Sequence, residues 1–159
     1  MALSQGKRPL FETVNTKVPL INDLGATRTL SVDETGSTVV FNRAAGIVVT
    51  LPLAVPGLVY DFVVTTSVTT NSYKVITGAA TEFLIGGYTN VDTDTSNAVA
   101  VFTGNGSTHI AVTQAAASTN STGGLIGSKL RFTCLSTTRW MVEGIVQGAG
   151  SPATAFATS

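Results

Sequence analysis

The chain has 159 residues, 43% of them hydrophobic and 11% charged, and nine basic side chains balance nine acidic ones. This size predicts one domain whose core is large enough to fold without disulfide or metal staples. The balanced charge excludes the basic excess that drives nucleic-acid binding, and every apolar run is far shorter than the roughly 20 residues that span a bilayer. We therefore expect neither nucleic acid nor a membrane as a partner.

The N-terminal residues lack the basic and then apolar pattern of a signal peptide, so we expect synthesis and use inside a cytoplasm. Cys134 and His109 are the single cysteine and the single histidine of the chain. These counts exclude an internal disulfide and a histidine-rich metal cluster.

Short β-strands are predicted through the middle of the chain, because β-branched residues recur between groups of turn residues. The turns at residues 33–36 and 104–106 predict two hairpins, which join the first strand to the second and the seventh to the eighth. About ten strands predict an all-β fold, a single β-sandwich, jelly roll or barrel-like domain over residues 27–147. The predicted strands are residues 27–32, 37–42, 47–51, 58–66, 73–77, 82–85, 98–103, 107–113, 128–136 and 139–146.

Alternation of apolar and polar residues indicates which side chains face the core. In residues 58–64 the even-numbered side chains are apolar, whereas Asp61 lies on the opposite face. In residues 129–134 Lys129 and Arg131 likewise oppose an apolar face. The predicted core comprises Leu58, Tyr60, Phe62, Val64, Leu130, Phe132, Cys134, Trp140, Val142, Val39, Phe41, Val49, Leu51, Ile110 and Val112.

The two ends of the chain differ from this body. Pro9 and Pro19 exclude a regular helix or a central strand from residues 1–26, which we interpret as an extended arm. Residues 148–159 form a turn-rich tail in which Phe156 is the single large apolar side chain. Such ends either fray or lie on a partner. The candidate contacts to a capsid or a neighbouring subunit are Lys7, Arg8, Pro9, Leu10, Phe11, Leu20 and Ile21 in the arm and Phe156 in the tail.

No pattern of residues predicts chemistry, and we expect no catalytic, cofactor or metal site. Cys134 alternates with core residues, and His109 lies on the face opposite Ile110, so neither is expected to act as a nucleophile or a base. Residues 92–97 begin like a calcium loop, but Asn97 replaces the required glycine and Thr103 the required glutamate. Asp92 and Asp94 could in principle form the acid and base pair of a hydrolase.

Four runs of sequence resemble small β-rich virion proteins of tailed bacteriophages, in particular capsid decoration (cement) proteins. They are residues 30–42, 45–52, 57–64 and 71–76, and residues 139–144 followed by the tail fit the same pattern. The resemblance covers about residues 27–159. It implies a non-enzymatic protein that binds the major capsid protein on the capsid exterior, forms a homotrimer and stabilises the shell. It also implies that a terminal arm reaches across the capsid surface.

A second hypothesis is a receptor-binding or carbohydrate-binding module of a phage tail or fibre. Aromatic side chains form platforms on which sugars stack, and Tyr73, Tyr88 and Trp140 are the residues that could form one. The alternating strand around Trp140 favours a core position for that residue, whereas the positions of the two tyrosines stay open.

Overall fold

The structure, a computed structural model, describes residues 17–94, 98–116 and 120–159. These residues form twelve β-strands and one 3-10 turn at Val32–Glu34, which confirms the all-β prediction. Within the described ranges no helix is long and apolar enough to cross a membrane. The strands are β1 (Leu20–Ile21), β2 (Thr27–Thr29), β3 (Thr38–Phe41), β4 (Ile47–Thr50), β5 (Val59–Val64), β6 (Ser72–Ile76), β7 (Phe83–Asp92), β8 (Val99–Thr103), β9 (Ala111–Ala115), β10 (Lys129–Ser136), β11 (Arg139–Gly148) and β12 (Phe156–Ala157).

The strands form two mixed sheets, whose inner faces share one hydrophobic core. The seven-stranded sheet has the order β1-β3-β5-β10-β11-β7-β8. The five-stranded sheet has the order β12-β9-β6-β4-β2. Such two-layer packing buries the apolar face of each sheet against the other.

The first six strands alternate between the two sheets, so the chain winds around the core. As a result β1, β3 and β5 are parallel neighbours in one sheet, and β2, β4 and β6 are parallel neighbours in the other. A parallel pair needs a long crossover connection, which is usually a helix. Here the strand in the opposite sheet provides that connection, which explains how parallel pairing arises in this part of the chain without a helix.

Both predicted hairpins are wrong. The segments at 27–32 and 37–42 contribute β2 and β3 to different sheets, because the 3-10 turn between them carries the chain across the core. The segments on either side of residues 104–106 also separate, since β8 pairs with β7 and β9 pairs with β6. The amides of Gly104 and Gly106 donate to Gly86 O and Leu84 O, so this turn is bonded to β7 instead of closing a hairpin.

The alternation correctly identified the inward faces. Each predicted core side chain is buried except Ile110, which is half-buried just before β9 begins. Trp140 is fully buried and packs near Tyr60, while Phe62 meets Phe132 edge to face at a centroid distance of 5.3 Å. Tyr73 stacks on Phe41 at 4.6 Å, which joins the inner faces of the two sheets.

The ends of the described chain belong to the sheets. Leu20 and Ile21 lie next to β3, and Ile21 and Leu24 pack in the core, so this part of the predicted arm contacts the body. In the tail Phe156 pairs with Val112 and is buried between the sheets. Phe156 is thus covered by its own subunit here, and its role as a partner contact stays a prediction.

Candidate interaction surfaces

The outer face of the seven-stranded sheet is the first candidate interaction surface. Alternation turns the odd-numbered residues of β5, β10 and β11 outward, because the even-numbered ones fill the core. The pairing register then aligns outward side chains in two rows across the strands. The charged row is Leu20, Thr38, Asp61, Arg131, Glu143, Gly87 and Thr103, and the apolar row is Val40, Val63, Lys129, Ile145, Thr89 and Val101.

An ion pair lies at the centre of this face. The Arg131 guanidinium donates two hydrogen bonds to the Asp61 carboxylate, with N–O distances of 2.9 and 2.8 Å. These bonds lower the pKa of Asp61, and the charges of Arg131 and Lys129 add to the effect against the desolvation that opposes it. Glu143 lies opposite Arg131 on the neighbouring strand. Two acidic and two basic side chains therefore leave the centre of the face neutral.

A groove of about 590 Å³ runs beside these charges. Its lining includes Asp61, Arg131 and Glu143 from the charged row. Gly144 and the side chain of Ile145, which is 56% exposed, also line it. Gly144 has a φ of +151°, and a Cβ there would collide with the carbonyl oxygen of Lys129. The close approach of β10 and β11 that shapes the groove therefore requires glycine at this position.

The second candidate surface is the edge strand β8. It pairs with β7 on one side, and no described strand pairs with its other side. Val99 and Val101 point outward from it and are 63% and 69% exposed. Natural edge strands are short, charged or covered, because an open edge is a template for pairing with another chain. β8 has five uncharged residues, so a second strand could add to it.

The predicted arm contacts differ in whether the structure describes them and in where it places them. Lys7, Arg8, Pro9, Leu10 and Phe11 lie outside the described residues. Leu20 is largely exposed at the outer edge of the seven-stranded sheet and lies in the charged row beside Thr38. Of the arm contacts within the described ranges, Leu20 is thus placed on the candidate face, whereas Ile21 is directed to the core.

The aromatic platform is corrected by the structure. Tyr73, Tyr88 and Trp140 are each at most 2% exposed. Their polar atoms bond inside the protein: Tyr73 donates to Thr66 O, Trp140 Nε1 donates to Glu82, and Tyr88 Oη accepts from the Ala155 amide. Burial raises the pKa of both tyrosines. These three rings therefore support the core and cannot stack on an external sugar.

The other polar candidates also have structural partners. The Cys134 thiol is buried and donates to Ser136 O at 3.2 Å, and burial raises its pKa, which disfavours the reactive thiolate. His109 stacks on Phe156 and accepts a bond from the Asn105 amide. Asp92 Oδ1 and Asp94 Oδ2 accept from the amides of Asp94 and Gly150. The described residues contain no group of three His, Cys, Asp or Glu side chains placed to hold a metal ion.

Sequence reasoning placed Asp61, Lys129 and Arg131 on outward faces but did not bring them together. The sequence did contain a signal for this cluster, because opposite charges on the outward faces of neighbouring strands form favourable pairs. It could be used only with the strand order, which puts β5 beside β10. The edge position of β8 had no comparable signal in the sequence.

No protein-family model matches the chain, and comparisons with curated proteins and with solved structures find no match. The two surfaces and the sequence resemblance are therefore the basis for the function proposed below.

Proposed function

We propose that this chain is a structural virion protein, a capsid decoration (cement) protein made in the host cytoplasm. It forms a homotrimer, binds the major capsid protein on the exterior of a phage head and stabilises the shell. The observation that carries the proposal is the exposed side of the seven-stranded sheet, where exposed apolar side chains lie beside a neutral cluster of four charges. The sequence resemblance supports the same function.

The chemistry of this side suits contact with another folded surface. The apolar row gains free energy when it is covered, at roughly 25 cal/mol per Å² of apolar area removed from water. Valine, isoleucine and threonine lose little rotamer freedom on contact, since their side chains are short and already restricted. The ion pair between Asp61 and Arg131 is complete within the subunit, so covering it leaves neither charge alone.

A protein that binds the assembled shell but not its separated subunits stabilises the shell by linkage. At a free concentration 100 times the dissociation constant the gain is about 2.7 kcal/mol per site. The gain is multiplied over many sites on a capsid surface. We assign the outer face of the seven-stranded sheet to the capsid contact. Ile145 is the residue of this contact that we test, because it is exposed and lies next to Lys129 of the charge cluster.

Co-sedimentation with phage heads that lack the protein tests the proposal. The full chain should bind the heads and raise the temperature at which they release DNA. Light scattering should give about three times the 16.3 kDa mass of one chain. Failure to bind the heads, or binding with no change in the release temperature, would overturn the proposed function, and a mass of 16.3 kDa would overturn the trimer.

A pair of variants tests the assigned face. Ile145→Lys replaces an exposed apolar side chain of this row with a second positive charge beside Lys129, and it should weaken binding to heads by tenfold or more. Leu53→Lys is the matched control, because Leu53 is 66% exposed but lies in the loop between β4 and β5. Equal binding by both variants would show that another surface contacts the capsid. Binding of glycans by the full chain, with no binding to heads, would instead favour the tail or fibre module.

A further inference from the structure

The backbone of β8 has a regular set of hydrogen-bonding groups that face away from its sheet. Gly104 N donates to Gly86 O, and Ala98 O accepts from Asp92 N, so the even-numbered backbone groups of this segment point toward β7. Successive residues of a strand point their N–H and C=O groups to opposite sides. The groups of Val99, Val101 and Thr103 therefore point outward along the open edge.

This edge is the longest open one among the described strands. The other edge strands have two residues in β1, three in β2 and two in β12, against five in β8. β8 also lacks the lysine or proline with which natural edges avoid unwanted pairing. Its features are those of a sheet that is completed by a strand from elsewhere.

The first sixteen residues of this chain are a suitable source for that strand. They precede Lys17 in the sequence, and the first described strand, β1, forms the opposite edge of the same sheet from β8. Within them, residues 10–16 read Leu-Phe-Glu-Thr-Val-Asn-Thr, with no glycine or proline and with several residues that favour strands. Sixteen residues span up to about 53 Å when extended, which is more than one strand needs.

A second copy of the chain accepts this segment more readily than the subunit that carries it. Seven strands at roughly 4.8 Å separate β1 from β8 by about 29 Å within one sheet. An arm that reached its own β8 would cross the strands and leave many backbone groups unpaired on the way. When two copies lie head to tail, β1 of one copy adjoins β8 of the next, and a contact of this kind forms a ring when the rotation between copies closes.

We infer that residues 10–16 of one copy pair with the open edge of β8 in the next copy, which continues the seven-stranded sheet around a closed oligomer. The inference rests on the homotrimer in the proposed function and names the contact that builds it. It assigns the arm to a neighbouring subunit, and it leaves the outer sheet face to the capsid.

Amide hydrogen exchange of the full chain, followed by NMR at high and low protein concentration, tests the inference. The amides of Val99, Val101 and Thr103 have no strand partner in the described part of their own subunit, whereas those of Ala100 and Phe102 face β7 and are internal controls. We expect the three outward amides to be protected at least tenfold in the oligomer and to lose this protection on dilution. The two control amides should stay protected at both concentrations.

Two substitutions identify the contact. Val101→Pro removes one outward N–H without removing a bond to β7, and it should reduce the mass measured by light scattering to that of one chain. Val101→Thr keeps the N–H and the branched shape, so it should still assemble. If Val101→Pro does not fold, Val101→Lys replaces it, since a charge on the edge blocks pairing while every backbone group is retained.

The outcomes separate this inference from the proposed function. Outward amides that exchange freely in the oligomer, or a monomer with unprotected amides, overturn the β8 contact. Protection that persists in a monomer means that the chain covers its own edge, which also overturns it. If outward amides that exchange freely in the oligomer accompany normal binding to heads, the β8 contact alone fails, whereas a monomer that binds heads overturns the homotrimer as well. Protected amides in an oligomer that never binds heads would overturn the proposed function alone.

Discussion

Glu82 is a buried carboxylate whose replacement should measurably destabilise the protein. The residue is 3% exposed and precedes β7 by one position. Its Oε1 accepts from the Ala54 amide at 2.8 Å, and its Oε2 accepts from Trp140 Nε1 at 3.1 Å. The side chain thereby connects the loop between β4 and β5, through Trp140, to β11 of the seven-stranded sheet.

The magnitude follows from the two donors. A buried donor left without a partner costs about 1 to 3 kcal/mol. Glu82→Gln keeps the shape but has a single acceptor oxygen, so one donor faces an amide NH₂ group and we expect a loss of about 1 to 3 kcal/mol. Glu82→Ala leaves both donors without a partner, and we expect a loss of about 2 to 6 kcal/mol, before any relaxation of the loop.

Urea unfolding at pH 7, followed by tryptophan fluorescence, measures the free energy of unfolding. Glu143→Gln is the matched control, because Glu143 is exposed on the outer face and should change stability by less than about 0.5 kcal/mol. Trp140→Phe combined with Glu82→Ala completes a double-mutant cycle, read by circular dichroism, for the bond between the two side chains. A Glu82→Gln protein as stable as the control would refute the argument that this carboxylate is needed by both donors.

Three further predictions concern stability and reactivity. Cys134→Ser should cost about 1 to 3 kcal/mol in urea unfolding, and the native thiol should react slowly with a bulky thiol reagent; rapid labelling would contradict its burial. The ion pair of Asp61 contributes up to about 1 kcal/mol to the free energy of unfolding. This contribution is present above the unfolded carboxyl pKa near 4 and is lost as pH falls through the lower folded pKa. Asp61→Asn should remove it, so the unfolding curves of this variant at pH 7 and pH 3 should differ less than those of the parent. Gly144→Ala should cost more than Gly57→Ala, because both glycines have positive φ but only Gly144 is crowded by backbone; equal unfolding midpoints would contradict the close approach of β10 and β11.

The alternation of residues in the sequence was enough to determine the fold class and most of the core. In β5 and β10 the apolar side chains occur at every second position, and a strand turns alternate side chains to opposite faces. This rule is local, so it holds whichever sheet the strand joins. The inward positions of Phe62, Phe132 and Cys134 were therefore predicted correctly from the sequence alone.

The sequence did not reveal which strands are neighbours. The segments that form β2 and β3 read as a hairpin, yet they lie in opposite sheets and each pairs in parallel with a strand about 20 residues away. Turn residues specify a change of direction, and a chain that changes direction can either return along the same sheet or cross the core. Here the chain crosses, and Leu30 and Val39 from the two segments are both buried in the one core, whose packing depends on strands from the whole chain.

The candidate surfaces likewise combine features that the sequence predicts with features that depend on strand pairing. That Asp61 and Arg131 face outward followed from alternation, but their ion pair exists because β5 and β10 are adjacent in the register that aligns these two residues. The residues of β8 were predicted as a strand, but nothing in their sequence marks an edge, because a strand becomes an edge only when no other strand pairs with it. Local patterns thus determined the strands and their faces, whereas pairing between distant segments decided the surfaces.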